Sequence, residues 1–108
     1  MDRVFIALAD PTRRQVVHLL RQRPRSAGEL ALASKMSAPA MSRHLRVLRH
    51  TGLVQEGSVD SDARLRIYRL RREPFTKLLA WLKEIEAFWT DELEAFKVHA
   101  ERRGKAGK

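Results

Sequence analysis

The tightest constraint on this chain is the stretch 37–52, whose beginning and end are both written in its residues: Ser37-Ala38-Pro39-Ala40-Met41-Ser42-Arg43-His44-Leu45-Arg46-Val47-Leu48-Arg49-His50-Thr51-Gly52. A serine side chain accepts a hydrogen bond from an N–H left free in a helix's first turn, so Ser37 is a good N-cap. Pro39 falls in that first turn, where its missing N–H does no harm. Gly52 follows the last helical position, where glycine takes the left-handed cap without steric cost. At roughly 100° per residue, Met41, Leu45 and Leu48 share one narrow arc, while Ser42, Arg43, Arg46 and His50 lie on a different, polar one. The spacing therefore predicts a helix over about 38–51, anchored by an apolar stripe and presenting hydroxyl and guanidinium groups outward. Such a helix suits the major groove of DNA.

Charge distribution points the same way. The chain has 108 residues and a formal net charge of +9. Residues 1–72 hold fifteen Lys/Arg against six Asp/Glu, a net of +9, whereas 73–108 hold seven of each. The whole excess thus accompanies the stretch above, and fourteen of those fifteen cations are Arg. Arginine pairs bidentately with phosphates and guanine edges. Basic proteins also meet membranes and acidic proteins, so charge favours nucleic acid without choosing it alone. With no cysteine, disulfides, thiolate metal sites and thiol redox sensing drop out. There is neither an 18-residue apolar run nor a signal peptide's apolar centre at MDRVFIALADPTRRQ. The expectation is a soluble cytoplasmic protein with no membrane partner. No nucleophile–base pair, Gly-rich phosphate loop or metal-ligand cluster appears, so no enzyme, cofactor or metal site is expected.

Taken in order, residues 2–8 group Val4, Phe5 and Leu8 in a short helical turn or two. Asp10-Pro11 starts the next helix, a capping Asp before a Pro in the first position. Val16, Val17, Leu19 and Leu20 should face inward, with Arg13 and Arg14 as solvated or phosphate-facing charge. Ser26-Ala27-Gly28-Glu29 has the form of a capping box, opening a helix to about Ser34 that should bury Leu30 and Ala33. Only Lys35-Met36-Ser37 then precedes the 38–51 helix, a helix-turn-helix spacing whose turn lacks the glycine often found there. Residues 53–57 and 64–70 read as two strands around a turn-forming run, a hairpin wing over about 53–70. Glu73-Pro74 starts a last helix to about Arg103, about 45 Å long at 1.5 Å per residue. Its face of Phe75, Leu78, Leu79, Leu82, Ile85, Trp89, Leu93 and Phe96, widened by Trp81 and Phe88, is too much for so small a domain to cover. A second copy of the chain supplies the missing cover. One domain, 1–103, is expected, with 104–108 as a disordered tail.

With its elements in this order, the chain resembles the ArsR/SmtB family of bacterial transcriptional repressors. The resemblance is carried by Ala7-Leu8-Ala9-Asp10-Pro11-Thr12-Arg13-Arg14, by Ser42-Arg43-His44-Leu45-Arg46-Val47-Leu48 with Gly52-Leu53-Val54, and by Tyr68-Arg69-Leu70, across roughly 3–98. It implies a mainly α fold with a small β-hairpin wing: a winged helix-turn-helix dimerising through N- and C-terminal helices. It implies a homodimer on an operator, released by an inducing signal. Metal-sensing members carry Glu-Leu-Cys-x-Cys in the first helix of the helix-turn-helix. Here that run is Glu29-Leu30-Ala31-Leu32-Ala33, with alanine at both thiolate positions. Near the end, Asp91, Glu92, Glu94, His99 and Glu101 are interrupted by Leu93, and His99 lacks a histidine partner, whereas zinc wants about four ligands at defined spacing. The chain is similar to the metal-independent branch, which leaves the inducer open.

The expected partners are double-stranded DNA and a second copy of the chain. Arg43, beside Ser42, is the leading candidate for a base edge, and Arg46 for base or phosphate. His44, between the arcs, suits packing or a phosphate hydrogen bond. Ser37 caps and can also donate to phosphate. Arg64 and Arg66 near the wing tip suit the backbone or minor groove. Val4, Phe5, Leu82, Ile85, Trp89, Leu93 and Phe96 are the candidate dimer interface. The alternative function is sequence-indifferent DNA packaging, which the basic half permits.

Overall fold

Side-chain caps set the helix boundaries. Asp10 accepts the Arg13 N–H at 3.0 Å and starts α2 (Pro11–Gln22). Ser26 accepts the Glu29 N–H at 3.2 Å while the Glu29 carboxylate takes the Ser26 N–H at 3.3 Å, the reciprocal box that opens α3 (Ala27–Ala33). Ser37 accepts the Ala40 N–H at 3.3 Å and starts α4 (Ala38–His50). A computed structural model of the chain describes residues 1–59 and 62–106, and their side chains apart from those of 59, 62–64 and 105–106. Helix α1 (Asp2–Leu8) precedes these three, and β2 (Val54–Val59), β3 (Asp62–Leu70) and α5 (Arg72–Ala106) follow. The chain divides into two units, Met1–Phe75 and the rest of α5.

The first unit's core collects one face of each short helix. Met41, Leu45 and Leu48 of α4 are 0%, 1% and 0% exposed, and they join Val16, Leu20 and Leu30. On α3 the buried pair is Leu30 and Ala31; Ala33 is exposed, against the sequence expectation. The inward arc of that helix passes through Ala27, Leu30 and Ala31, an i, i+3, i+4 set that leaves Ala33 to one side.

The sheet has three strands, in the order β1-β3-β2, where the sequence suggested a hairpin alone. The added strand, β1 (Arg25–Ser26), sets Arg25 opposite Tyr68 and Ser26 opposite Ile67. Two residues carry no readable period, and Ser26 is also the cap of α3. In the β2–β3 ladder Val54 lies opposite Leu70, Glu56 opposite Tyr68 and Ser58 opposite Arg66, with an irregularity between Ser58 and Val59. Directly opposed residues share a face, so Val54, Glu56, Arg66, Tyr68 and Leu70 point the same way. Tyr68 and Val54 enter the core, and the residues between them in period, Leu65 and Ile67, go to the other face, where Leu65 is 43% exposed.

Both ends of the helix-turn-helix use the same device. After α4, Gly52 sits at φ +78, its N–H bonds Arg49 O at 3.0 Å, and the Leu53 N–H bonds Leu48 O at 3.0 Å. After α3, Lys35 occupies the equivalent place at φ +54, with Lys35 N–H to Leu32 O at 3.2 Å and Met36 N–H to Ala31 O at 2.9 Å. This is a Schellman cap made by a lysine where glycine is usual. Helix α5 begins one residue earlier than expected and continues to Ala106, so 104–106 of the expected tail are helical, while 107–108 lie outside the described residues. Its 35 residues make about 52 Å at 1.5 Å each. Among the described residues no helix is long and apolar enough to cross a membrane.

A left-handed non-glycine residue carries a steric cost of roughly 1–2 kcal/mol, partly offset by glycine's greater freedom when unfolded. Lys35→Gly should therefore raise stability by about 0.5–1 kcal/mol, and the β-branched Lys35→Val should lower it. Urea unfolding midpoints at constant slope check both.

Candidate nucleic-acid interface

Because the stripe under α4 is buried, the opposite side of the helix is left to solvent. Ser42, Arg43 and Arg46 are all exposed there. Among the described residues neither arginine is hydrogen-bonded or ion-paired, in contrast to Arg49 further along the helix. Ser37 is exposed at the helix start with its oxygen engaged as a cap. Arg43 and Arg46 are thus held by backbone alone, with their full set of donors available.

His44 is half-buried on the flank, and its Nδ1 lies 3.4 Å from Nη1 of Arg13. An arginine only donates, so Nδ1 accepts and the ring proton belongs on Nε2. Arg13 does more. Its Nε donates to Ala7 O at 2.7 Å and its Nη2 to Ile6 O at 3.2 Å. Arg14 donates from Nη1 to Leu8 O at 2.8 Å and Ala9 O at 3.1 Å. These are the carbonyls at the end of α1 and of its cap residue Ala9, at the negative end of the helix dipole, and Ile6 O also accepts the Ala9 N–H at 3.3 Å. Arg14 is exposed, as expected of surface charge, and Arg13 is half-buried; beyond that expectation, both arginines clasp α1 to α2, and Arg13 also reaches α4. The same cap lowers the Asp10 pKa, first through the Arg13 N–H and then through the Arg13 charge, against the opposing effect of burial. Since the folded state then holds its proton less readily than the unfolded one, this contribution is complete at neutral pH and is lost as pH falls through the carboxylate range.

On the wing, Arg66 shares its face with Tyr68, and its Nε lies 3.5 Å from the Glu56 carboxylate. The other Glu56 oxygen accepts from Nη1 of Arg49 at 2.6 Å. Arg66 is therefore turned along the α4 side of the sheet. The side chain of Arg64 lies outside the described residues. Arg49, missed in the sequence reading, was detectable: Ser42, Arg46 and Arg49 stand at i, i+4 and i+7 on one side of α4. Of the interface candidates, Val4 is buried in the protomer's own core, whereas Phe5, Leu82, Ile85, Trp89, Leu93 and Phe96 are all exposed. Among the described residues no three His, Asp or Glu side chains are grouped to hold a metal ion.

Two helices joined through a short turn, the second exposing a free basic face, with a hairpin directly after it, define a winged helix-turn-helix. The model of the family described as "Bacterial regulatory protein, arsR family" matches residues 10–56. The HTH-type transcriptional regulator Rv2034 of Mycobacterium tuberculosis is 39% identical over 95 residues, covering 88% of this chain and 83% of that protein. The transcriptional repressor SdpR of Bacillus subtilis is 36% identical over 56 residues, 52% of this chain and 62% of that one. Among solved structures, the homodimeric winged helix-turn-helix DNA-binding domain Mb0332 of Mycobacterium bovis, a possible ArsR-family transcriptional regulator, is 29% identical at a TM-score of 0.63, over 79% of this chain and 76% of that one. The chain belongs to the arsR family of bacterial regulatory proteins.

The clasp and the exposed face respond differently to truncation. Arg13→Ala removes two hydrogen bonds to the end of α1 and one to His44, and should cost about 1–2 kcal/mol. Arg43→Ala removes no hydrogen bond or ion pair among the described residues and should stay within about 0.5 kcal/mol of the parent. Thermal and urea unfolding of the two variants side by side check the contrast.

Proposed function

We propose that this chain is a sequence-specific DNA-binding transcriptional repressor that acts as a homodimer. The observation that carries the reading is the pair of unpaired guanidiniums, Arg43 and Arg46, on the free side of a capped helix whose other side is core. A helix so mounted enters a major groove with Arg43 aimed at base edges and Arg46 at base or phosphate. His44, with its Nε2–H, and Ser37 sit where they can donate to phosphates and fix the register. Arg66 and Arg64 extend the contact along the wing.

The exposed apolar side of α5 supports the dimer, together with Phe5 on α1; the homodimeric state named for the Mycobacterium bovis domain supports it too. Two-fold symmetry then calls for an inverted-repeat operator with half-sites about one turn, roughly 34 Å, apart. Repression needs no more than occupancy, since a bound dimer covers two successive major grooves, and one relative bears the name of repressor. The packaging alternative loses ground to the internal engagement of Arg13, Arg14, Arg23, Arg25 and Arg49, which takes much of the basic half out of a uniform cationic surface.

Arg43→Ala should reduce affinity for the operator by about 1–3 kcal/mol while sparing weak binding to random DNA. Titrations of both duplexes at one fixed salt concentration check this, and equal loss on both would move Arg43 to backbone positioning. Leu82→Ser combined with Trp89→Ser should yield a monomeric or poorly folded chain; a stable dimer in analytical ultracentrifugation would count against this interface.

A further inference from the structure

Between the last turn of α4 and the inner face of the sheet lies an open cavity of about 330 Å3, lined by Arg49, Val54, Gln55, Glu56, Arg66 and Arg71. We propose that this cavity is a binding site for a phosphate group, recognised by Arg49, Arg66 and Arg71.

The charge is unbalanced in favour of an anion. Three guanidiniums share one carboxylate in the lining, and each guanidinium carries five donors. Glu56 occupies one nitrogen of Arg49 and, at the longer 3.5 Å, one of Arg66. Most donors in the cavity are thus unused by it. Arg71 is placed by its own backbone, whose N–H bonds Leu53 O at 2.9 Å, and by the bare Cα of Gly52, where a Cβ would lie 3.5 Å from its Nη1. Its contact with Glu73, 3.8 Å between half-exposed side chains, is long enough to yield to a better anion.

The three arginines come from three separate elements: α4, β3 and the link into α5. Glu56 holds two of them in place before any ligand arrives, so little side-chain freedom remains to be lost on binding. Planar forks converging from several directions match a tetrahedral oxyanion, which accepts in every direction, better than a planar carboxylate. A phosphodiester of bound DNA and a free phosphate monoester offer the same chemistry. The first source rests on the DNA-binding function proposed above; the second does not.

The test uses the full chain, inorganic phosphate and two duplexes. Phosphate is titrated at ionic strength held constant with chloride, following the arginine Nε–H resonances by NMR. Saturable shifts of Arg49, Arg66 and Arg71 are expected, weakened at least threefold in Arg71→Gln and unchanged in Arg69→Gln, which lies on the opposite face of β3. Unfolding midpoints confirm that both variants fold. In the second arm, operator and random DNA are titrated across a salt series. If the site holds a DNA phosphate, Arg71→Gln lowers both affinities alike and reduces the salt slope by about one. If the slope is unchanged while phosphate binding is lost, the site serves a free phosphate compound. Phosphate shifts that do not saturate, or that survive Arg71→Gln, overturn the proposal. Failure of the parent chain to bind either duplex would instead remove the DNA-binding function, and the phosphate titration would still read the cavity.

Discussion

Burial of Met41, Leu45 and Leu48 is the interaction on which the rest of this molecule depends. Fully burying side chains of this size stabilises by about 1.5–3 kcal/mol each, a large share of what any small domain has to spare. The stripe occupies a single arc of α4, and caps hold both ends of the helix. The helix therefore has one rotational setting. Turning Arg43 or Arg46 inward would bring the stripe into water and bury an unpaired guanidinium, two costs of the same sign. The outward aim of the basic residues is a consequence of packing and needs no partner to establish it.

Arginine has a second occupation here that net charge conceals. Arg13 and Arg14 answer the last carbonyls of α1, and Arg25 donates from Nε to Leu19 O at the end of α2. Arg23 meets Glu29 at the box that opens α3. Short helices have a large fraction of their carbonyls at their ends, and a molecule built from short helices must find donors for them. A long side chain with five donors does that from several residues away. The run from Ala7 to Arg14 is thus first a structural clasp: the carbonyls of one helix, a capped start to the next, and the two arginines that join them.

Local chemistry was legible in the sequence, whereas register and reach were not. Ser26, Ser37, Asp10 and Gly52 each act within a few residues of themselves, and each cap forms as its residue type predicts. The α4 stripe was readable because three large apolar residues leave one solution. On α3 the apolar residues are small and nearly continuous from Leu30 to Ala33, so periodicity does not decide between Ala31 and Ala33; the neighbouring helices do. The wing deceives for a related reason. Its basic–apolar alternation breaks at Tyr68, and the core takes Tyr68 and Leu70, which carries Arg66 round to Glu56. Lys35 shows the limit of residue-type rules from the other side, since two short-range hydrogen bonds hold a lysine in a conformation that sequence reserves for glycine.

The interface itself was half legible, and the missing half is the part that ties elements together. Arg43, Arg46 and Ser42 follow from the helix alone. Arg13 and Arg49 matter through contacts across 31 and 7 residues of chain, which no local pattern announces. Through Arg13 the end of α1 and His44 of α4 share one guanidinium; through Glu56, α4 and both long strands share one carboxylate. The free face of α4 is consequently bracketed by a polar link on each side, one to α1 and one to the wing. A shift of α1 must lengthen bonds that also hold His44, and a shift of the wing must do the same to Arg49. Within the first unit these two links tie the flanks of α4 to the end of α1 on one side and to both long strands on the other.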